Sequence, residues 1–109
     1  GSRVHLVGVA YKQDVNDMRE SPALDVLELL AKRGAVVSYS DPFVAQLKVD
    51  GRCLSSVDLS TAIEQAPDCA VICTDHTAFD YDALVQSGML VVDTRNALKN
   101  HRGDSIFRL

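Results

Sequence analysis

At 109 residues, 47% of them hydrophobic, the chain carries enough apolar material for one core and too little for a second. Its net charge of −4 and pI near 5.2 repel a phosphate backbone, and without a basic stripe or zinc-finger spacing nucleic-acid binding is excluded. No run approaches the ~20 apolar residues of a membrane span, and no charged-then-apolar signal precedes the first strand, so a soluble, cytoplasmic protein with no membrane partner is expected.

Gly1-Ser2 reads as the remnant of an expression tag, leaving residues 3–109 as one domain. A strand begins almost at once, which suggests a fragment cut from a longer chain. Val4 to Ala10 is a nearly continuous apolar run, suited to a strand covered on both faces. Ser21-Pro22 then offers a helix cap followed by proline at the first helical position, where its missing N–H costs nothing.

Leu24, Leu27, Leu30 and Ala31 recur at helical spacing, while Asp25, Glu28 and Lys32 mark a wet face with Glu28 and Lys32 as an i,i+4 pair. Lys32-Arg33-Gly34 stops the helix: cations oppose its dipole and glycine turns left-handed. The second strand, Val36 to Ser40, ends at Asp41-Pro42 and completes a right-handed β-α-β unit. Residues 43–57 read as irregular apart from a hairpin turn at Asp50-Gly51.

Asp58 or Ser60 caps a short helix ending near Ala66, and Pro67-Asp68 leads into the third strand, Cys69 to Thr74. Asp75-His76 leaves that strand at its carboxyl end. Asp80 caps a helix from Tyr81 to Ser87, Gly88 ends it, and Met89 to Asp93 forms the fourth strand. The tail from Asn100 is polar, then apolar at Ile106-Phe107; it either docks back as an extra strand or packs on another domain. This alternation predicts an α/β fold, a three-layer Rossmann-like sandwich whose mainly parallel sheet runs in the order 2-1-3-4.

The first strand and turn contain one glycine, Gly8, and no GxGxxG, so the backbone cradle for a dinucleotide pyrophosphate is missing. Neither a GxxxxGK[ST] loop, a GxSxG elbow nor an HExxH pair is present. Cys53, Cys69 and Cys73 are odd in number and lack CxxC spacing, which argues against a disulfide framework and a zinc site; Cys69 and Cys73 lie in an apolar strand as small hydrophobes.

Polar groups do gather at strand ends: Tyr11, Lys12 and Arg19 after the first strand, Asp75 and His76 after the third, and Thr94, Arg95 and Asn96 after the fourth. In a parallel sheet these ends share one edge. Cations converging there with a helix amino terminus suit a phosphate or diphosphate. Plainer readings stand beside this one. Lys12 and Arg19 adjoin Asp14, Asp17 and Glu20 and suit a solvated ion-pair network, as does Arg95 beside Asp93. His76 suits a hydrogen-bonded loop residue, and Tyr11 the closing edge of the core.

Five segments decide between them: Gly8-Val-Ala-Tyr-Lys12, Asp17-Met-Arg-Glu-Ser-Pro-Ala23, Ser40-Asp-Pro-Phe43, Thr74-Asp-His76 and Val92-Asp-Thr-Arg-Asn96. In this order and spacing they resemble the carboxyl-terminal domain of the UDP-glucose/GDP-mannose dehydrogenases, over nearly the whole chain. Phe43 and the Asp-Thr-Arg-Asn segment look most like the branch acting on UDP-N-acetylhexosamines.

The resemblance implies the UDP-sugar-binding part of an enzyme of polysaccharide biosynthesis that oxidises the C6 alcohol of a nucleotide sugar to a carboxylate in two NAD-dependent steps. It also implies partner regions absent here: an NAD-binding domain and a central helix that builds a homo-oligomer. With them go the glycine-rich NAD loop and the nucleophilic cysteine, so the isolated chain is expected to be inactive. Carried over by motif, Tyr11 and Lys12 lie along the nucleotide, Arg95 reaches its uridine-phosphate end, and Arg19 faces the interdomain cleft toward NAD.

The rival from a different class is a non-catalytic interaction module whose strand-end edge packs against other domains with little binding of its own. A receiver domain fails, because such domains need an acidic pair after the first strand, where Val-Ala-Tyr-Lys stands.

Overall fold

The computed structural model describes residues 2–10, 22–49, 51–77, 79–95, 97–98 and 106–108. Among these residues five parallel strands form the main sheet: β1 (Arg3–Val7), β2 (Val36–Ser40), β5 (Cys69–Ile72), β6 (Val91–Asp93) and β7 (Ile106–Arg108), in the order β2-β1-β5-β6-β7. The four strands read from the sequence therefore stand as 2-1-3-4. The tail supplies a fifth, β7, which settles its two readings in favour of docking beside β6.

Registry brings the carboxyl ends level. Val7 lies opposite both Ser40 and Ile72, and Ile72 opposite Asp93. β1 stops at Val7, short of the apolar run's end, because Gly8 turns to φ +84°. Among the described residues three helices cover the sheet: α1 (Pro22–Lys32), α2 (Leu59–Glu64) and α3 (Tyr81–Gln86).

Alternate residues of the strands serve two cores. Leu6 and Tyr39 pack with Ala23 and Leu27 of α1 on one side; Val7, Ala70, Ile72 and Val91 pack with Leu59 of α2 and Leu84 of α3 on the other. That is the three-layer arrangement, and it explains the near-continuous apolar reading of the strands. None of the helices among the described residues is long and apolar enough to cross a membrane.

Residues 43–57 keep the expected hairpin turn but are more regular on either side of it than expected. They contain β3 (Gln46–Val49) and β4 (Arg52–Ser55), an antiparallel hairpin with Gly51 at φ +77°. Val49 is buried against the α1 side, with Leu47 and Leu54 packed beside it, while Gln46, Lys48 and Arg52 face solvent. Two inward apolar residues on β3 and one on β4 suffice, because the hairpin extends an existing core. Caps behave unequally: Asp80 accepts from the Ala83 N–H at 3.1 Å, whereas Asp58 holds the N-cap position of α2 without a side-chain bond. Helix α1 starts at Pro22 as predicted; the Ser21 cap lies outside the described residues.

Beneath the β1–β2 pair, His5 is buried between Ser38 and Ser40, with Nδ1 and Nε2 each 2.7 Å from a hydroxyl. Ser40 Oγ donates to the Val57 carbonyl, so it accepts from His5 Nε2–H, and Ser38 donates to Nδ1. The ring is thus held neutral, and burial pushes its pKa down to about 4.

Candidate functional site

Where β1 ends, the backbone passes unusually close to β5. A Cβ on Gly8 would fall 2.5 Å from the Thr74 carbonyl oxygen and 2.7 Å from Thr74 Cβ, so glycine is required for room as well as for φ. The Thr74 hydroxyl then donates to the carbonyl of Ala10. From the other side Asp41 Oδ2 accepts from the Val9 and Ala10 N–H groups at 2.8 and 2.9 Å. The two residues leaving β1 are therefore held on both their donors and one acceptor.

Asp41 reaches further. Its Oδ1 accepts from the Phe43 N–H at 2.8 Å and its Oδ2 from His76 Nε2 at 2.9 Å, in a setting where Asp41 is 2% and His76 0% exposed. The His76 ring lies between Phe43 and Phe79, with centroids 5.1 and 5.5 Å away. One carboxylate thus joins the exits of β1, β2 and β5. His76 is the hydrogen-bonded loop residue of the plainer reading, closed off from solvent.

A second buried carboxylate shapes the exit of β6. Asp93 Oδ1 accepts from the Arg95 and Ala97 N–H groups at 3.0 and 3.1 Å, and Oδ2 from the Leu98 N–H at 2.8 Å. Spent on backbone donors, Asp93 makes no ion pair with Arg95, so the ion-pair reading of that arginine falls. Arg95 is exposed, and its Nε donates to the Cys73 carbonyl at 2.9 Å. That bond fixes the guanidinium plane and leaves its terminal nitrogens for a ligand.

Arg95 stands on a cleft of about 370 Å³ lined by Ala10, Ala23, Val26, Val71, Cys73, Thr74 and Thr94. Apolar walls, two hydroxyl residues and one oriented guanidinium suit a ligand with a flat apolar part and an anionic part. The first turn of α1 forms one wall at Ala23, and the amino end of a helix favours an anion. Cys73 is no nucleophile here: burial pushes its thiol up to about 11, against a smaller opposing pull from Arg95. The described residues contain no cluster of metal-ligating side chains.

Of the residues expected to bind, Arg95 is placed on the cleft. Tyr11, Lys12 and Arg19 lie outside the described residues, as does Asn96; after them Ala23 stands at the cleft wall. Asp75 turns aside, accepting from the Tyr81 hydroxyl at 2.9 Å, and burial with that bond raises the Tyr81 pKa. What the sequence reading missed is Asp41, taken there as a strand stop. Its visible signals were Asp-Pro at a strand end and its place in the Ser40-Asp-Pro-Phe43 segment of the family resemblance.

Comparison with known proteins agrees with this geometry. The family model described as "UDP-glucose/GDP-mannose dehydrogenase family, UDP binding domain" matches residues 5–100. A UDP-N-acetyl-D-mannosamine dehydrogenase of Methanococcus maripaludis is 32% identical over 91% of this chain, and a UDP-glucose 6-dehydrogenase of Rhizobium meliloti 33% over 88%. The alignments take in 24% and 23% of those proteins, so the chain spans about a quarter of their length. Among solved structures, the UDP-N-acetyl-mannosamine dehydrogenase of Staphylococcus aureus superposes with a TM-score of 0.74 at 29% identity, over 99% of this chain and 26% of that one. A UDP-glucose dehydrogenase of Pyrobaculum islandicum gives 0.72 at 27%, over 98% and 25%. The chain belongs to the UDP-glucose/GDP-mannose dehydrogenase family, as its UDP-binding domain.

Proposed function

We propose that this domain holds the UDP part of a nucleotide sugar within a longer NAD-dependent dehydrogenase that converts the sugar's C6 alcohol to a carboxylate in two steps, as in polysaccharide biosynthesis. The observation that carries the reading is Arg95: an exposed guanidinium, oriented by the Cys73 carbonyl, at an apolar cleft beside a helix amino terminus. In this reading Arg95 binds the uridine-phosphate end, Tyr11 and Lys12 lie along the nucleotide, and Arg19 faces NAD. NAD, bound chiefly by the rest of the longer protein, accepts the hydrides. This chain's own residues bind and orient, and the isolated domain does not turn over.

The UDP-N-acetyl-D-mannosamine dehydrogenases among the relatives support a UDP-N-acetylhexosamine as substrate; in this reading the parent is a cytoplasmic homo-oligomer. A second reading has an observation of its own. Val71, Cys73 and Val92 on the cleft side of the sheet are half-buried and Phe107 is 53% exposed, whereas Ala70, Ile72 and Val91 on the opposite side are buried. That side suits packing against the remainder of the longer protein, and the two roles are compatible. Calorimetric titration tests the first: UDP binds weakly, uridine more weakly still, and Arg95→Ala lowers UDP affinity about tenfold, the loss of roughly one charge-assisted contact. Equal affinity of wild type and Arg95→Ala for UDP refutes the assignment.

A further inference from the structure

We infer that Asp41, braced by His76, is a positioning residue for the nucleotide: it sets the backbone of Val9–Ala10, and with it the cleft wall that Ala10 forms. The inference rests on the reading of this edge as a UDP site. It starts from an imbalance in the hydrogen bonds of β1. That strand's sheet pairing ends at Val7, yet the next residues are buried and carry N–H groups that need acceptors. Asp41 supplies them from 32 and 31 residues away, at 2.8 and 2.9 Å.

A neutral acceptor serves two amides at less cost than a buried carboxylate, whose desolvation has to be offset by charged or dipolar donors. Here four donors converge on the two oxygens, three of them backbone N–H groups and the fourth His76 Nε2. Such a set fixes the carboxylate in place. His76 is itself wedged between two aromatic rings, so the brace does not swing. With Thr74 gripping the Ala10 carbonyl, the last point before Tyr11 is clamped from both neighbouring strands. Ala10 also lines the cleft, which puts the clamp one residue from the ligand space.

The chemistry singles out Asp41→Asn. An amide has one acceptor oxygen, so its NH2 must face either the Phe43 N–H or the trio of Val9, Ala10 and His76 donors. The shape is kept and the clamp is broken. The test follows UDP titrations of the 109-residue chain by amide NMR. Wild type binds; Asp41→Asn stays folded below its lowered Tm, shows upfield-shifted Val9 and Ala10 amide protons, and binds UDP at least fivefold more weakly.

His76→Gln, which keeps an N–H toward Asp41, binds within twofold of wild type, and His76→Leu falls with Asp41→Asn. A folded Asp41→Asn with moved Val9 and Ala10 amides and unchanged UDP affinity overturns the inference and leaves the UDP site standing. Wild type without UDP binding overturns the site reading and the inference with it. Should Asp41→Asn fail to fold, the His76 pair decides: equal affinities of the Gln and Leu variants reject the positioning role.

Discussion

Replacing Gly8 by alanine exposes how tightly the exit of β1 is packed. Two costs separate cleanly. The left-handed backbone, φ +84°, costs an L-residue about 1–2 kcal/mol. The new Cβ would lie 2.5 Å from the Thr74 carbonyl oxygen, where ordinary contact begins at 3.4 Å, so the strand exits must part by about 0.9 Å. Overpacking of that kind costs about 1–3 kcal/mol. Parting also lengthens the Cys73 N–H to Val7 carbonyl bond, now 3.0 Å, and the Thr74 to Ala10 bond, each contributing about 1 kcal/mol.

The sum is about 4–7 kcal/mol, against the ~5–15 kcal/mol net stability of a domain this size. Gly34 is the internal control: its φ is +87° but an added Cβ meets nothing within 4 Å, so Gly34→Ala costs about 1 kcal/mol. Urea unfolding followed by circular dichroism measures both. Gly8→Ala and Gly34→Ala destabilised equally, within about 0.5 kcal/mol, refute the close-approach argument.

Three further outcomes follow from buried groups and strain. His5 stays neutral in the folded state down to pH about 4, whereas an unfolded histidine takes up its proton near 6.5. Between those values the unfolded chain binds more protons, so stability falls as pH falls, by about 2 kcal/mol from pH 7 to 5, and His5→Gln flattens that slope in urea titrations. Ala66 sits at φ +49° after α2, so Ala66→Gly raises Tm by roughly 4 °C, for about 1 kcal/mol of relieved strain, in a thermal melt. Iodoacetamide at pH 8 labels exposed Cys53 and spares Cys73, whose thiolate fraction is about 0.1% with its pKa near 11; mass spectrometry of the digest reads the sites.

What the sequence revealed tracks the range of the forces involved. The runs around Leu6 and Ile72 are apolar on both faces, and the Gly34 stop is a local backbone effect, so β1, β5 and the end of α1 were legible. Of the β3–β4 hairpin only the turn at Asp50-Gly51 was legible: Leu47 and Leu54 are a modest apolar signal for its strands among Gln46, Lys48 and Arg52, and its stability comes from a core assembled elsewhere. The place of Arg95 at a strand end was legible because a cation after an apolar strand can be read locally. Asp41 escaped because its donors at Val9, Ala10 and His76 lie 31 to 35 residues away and meet only in the folded chain. His76, ambiguous in sequence, becomes a brace once its rings and carboxylate are placed.

The central claim is that the strand-end cleft binds UDP, and amide NMR of the 109-residue chain titrated with UDP tests it most directly. The account predicts saturable shifts, with a dissociation constant in the millimolar range, at Ala10, Cys73, Thr74, Thr94 and Arg95, and none at the β3–β4 hairpin. Spectra that do not change at these residues in several-millimolar UDP, or shifts confined to the hairpin, contradict it.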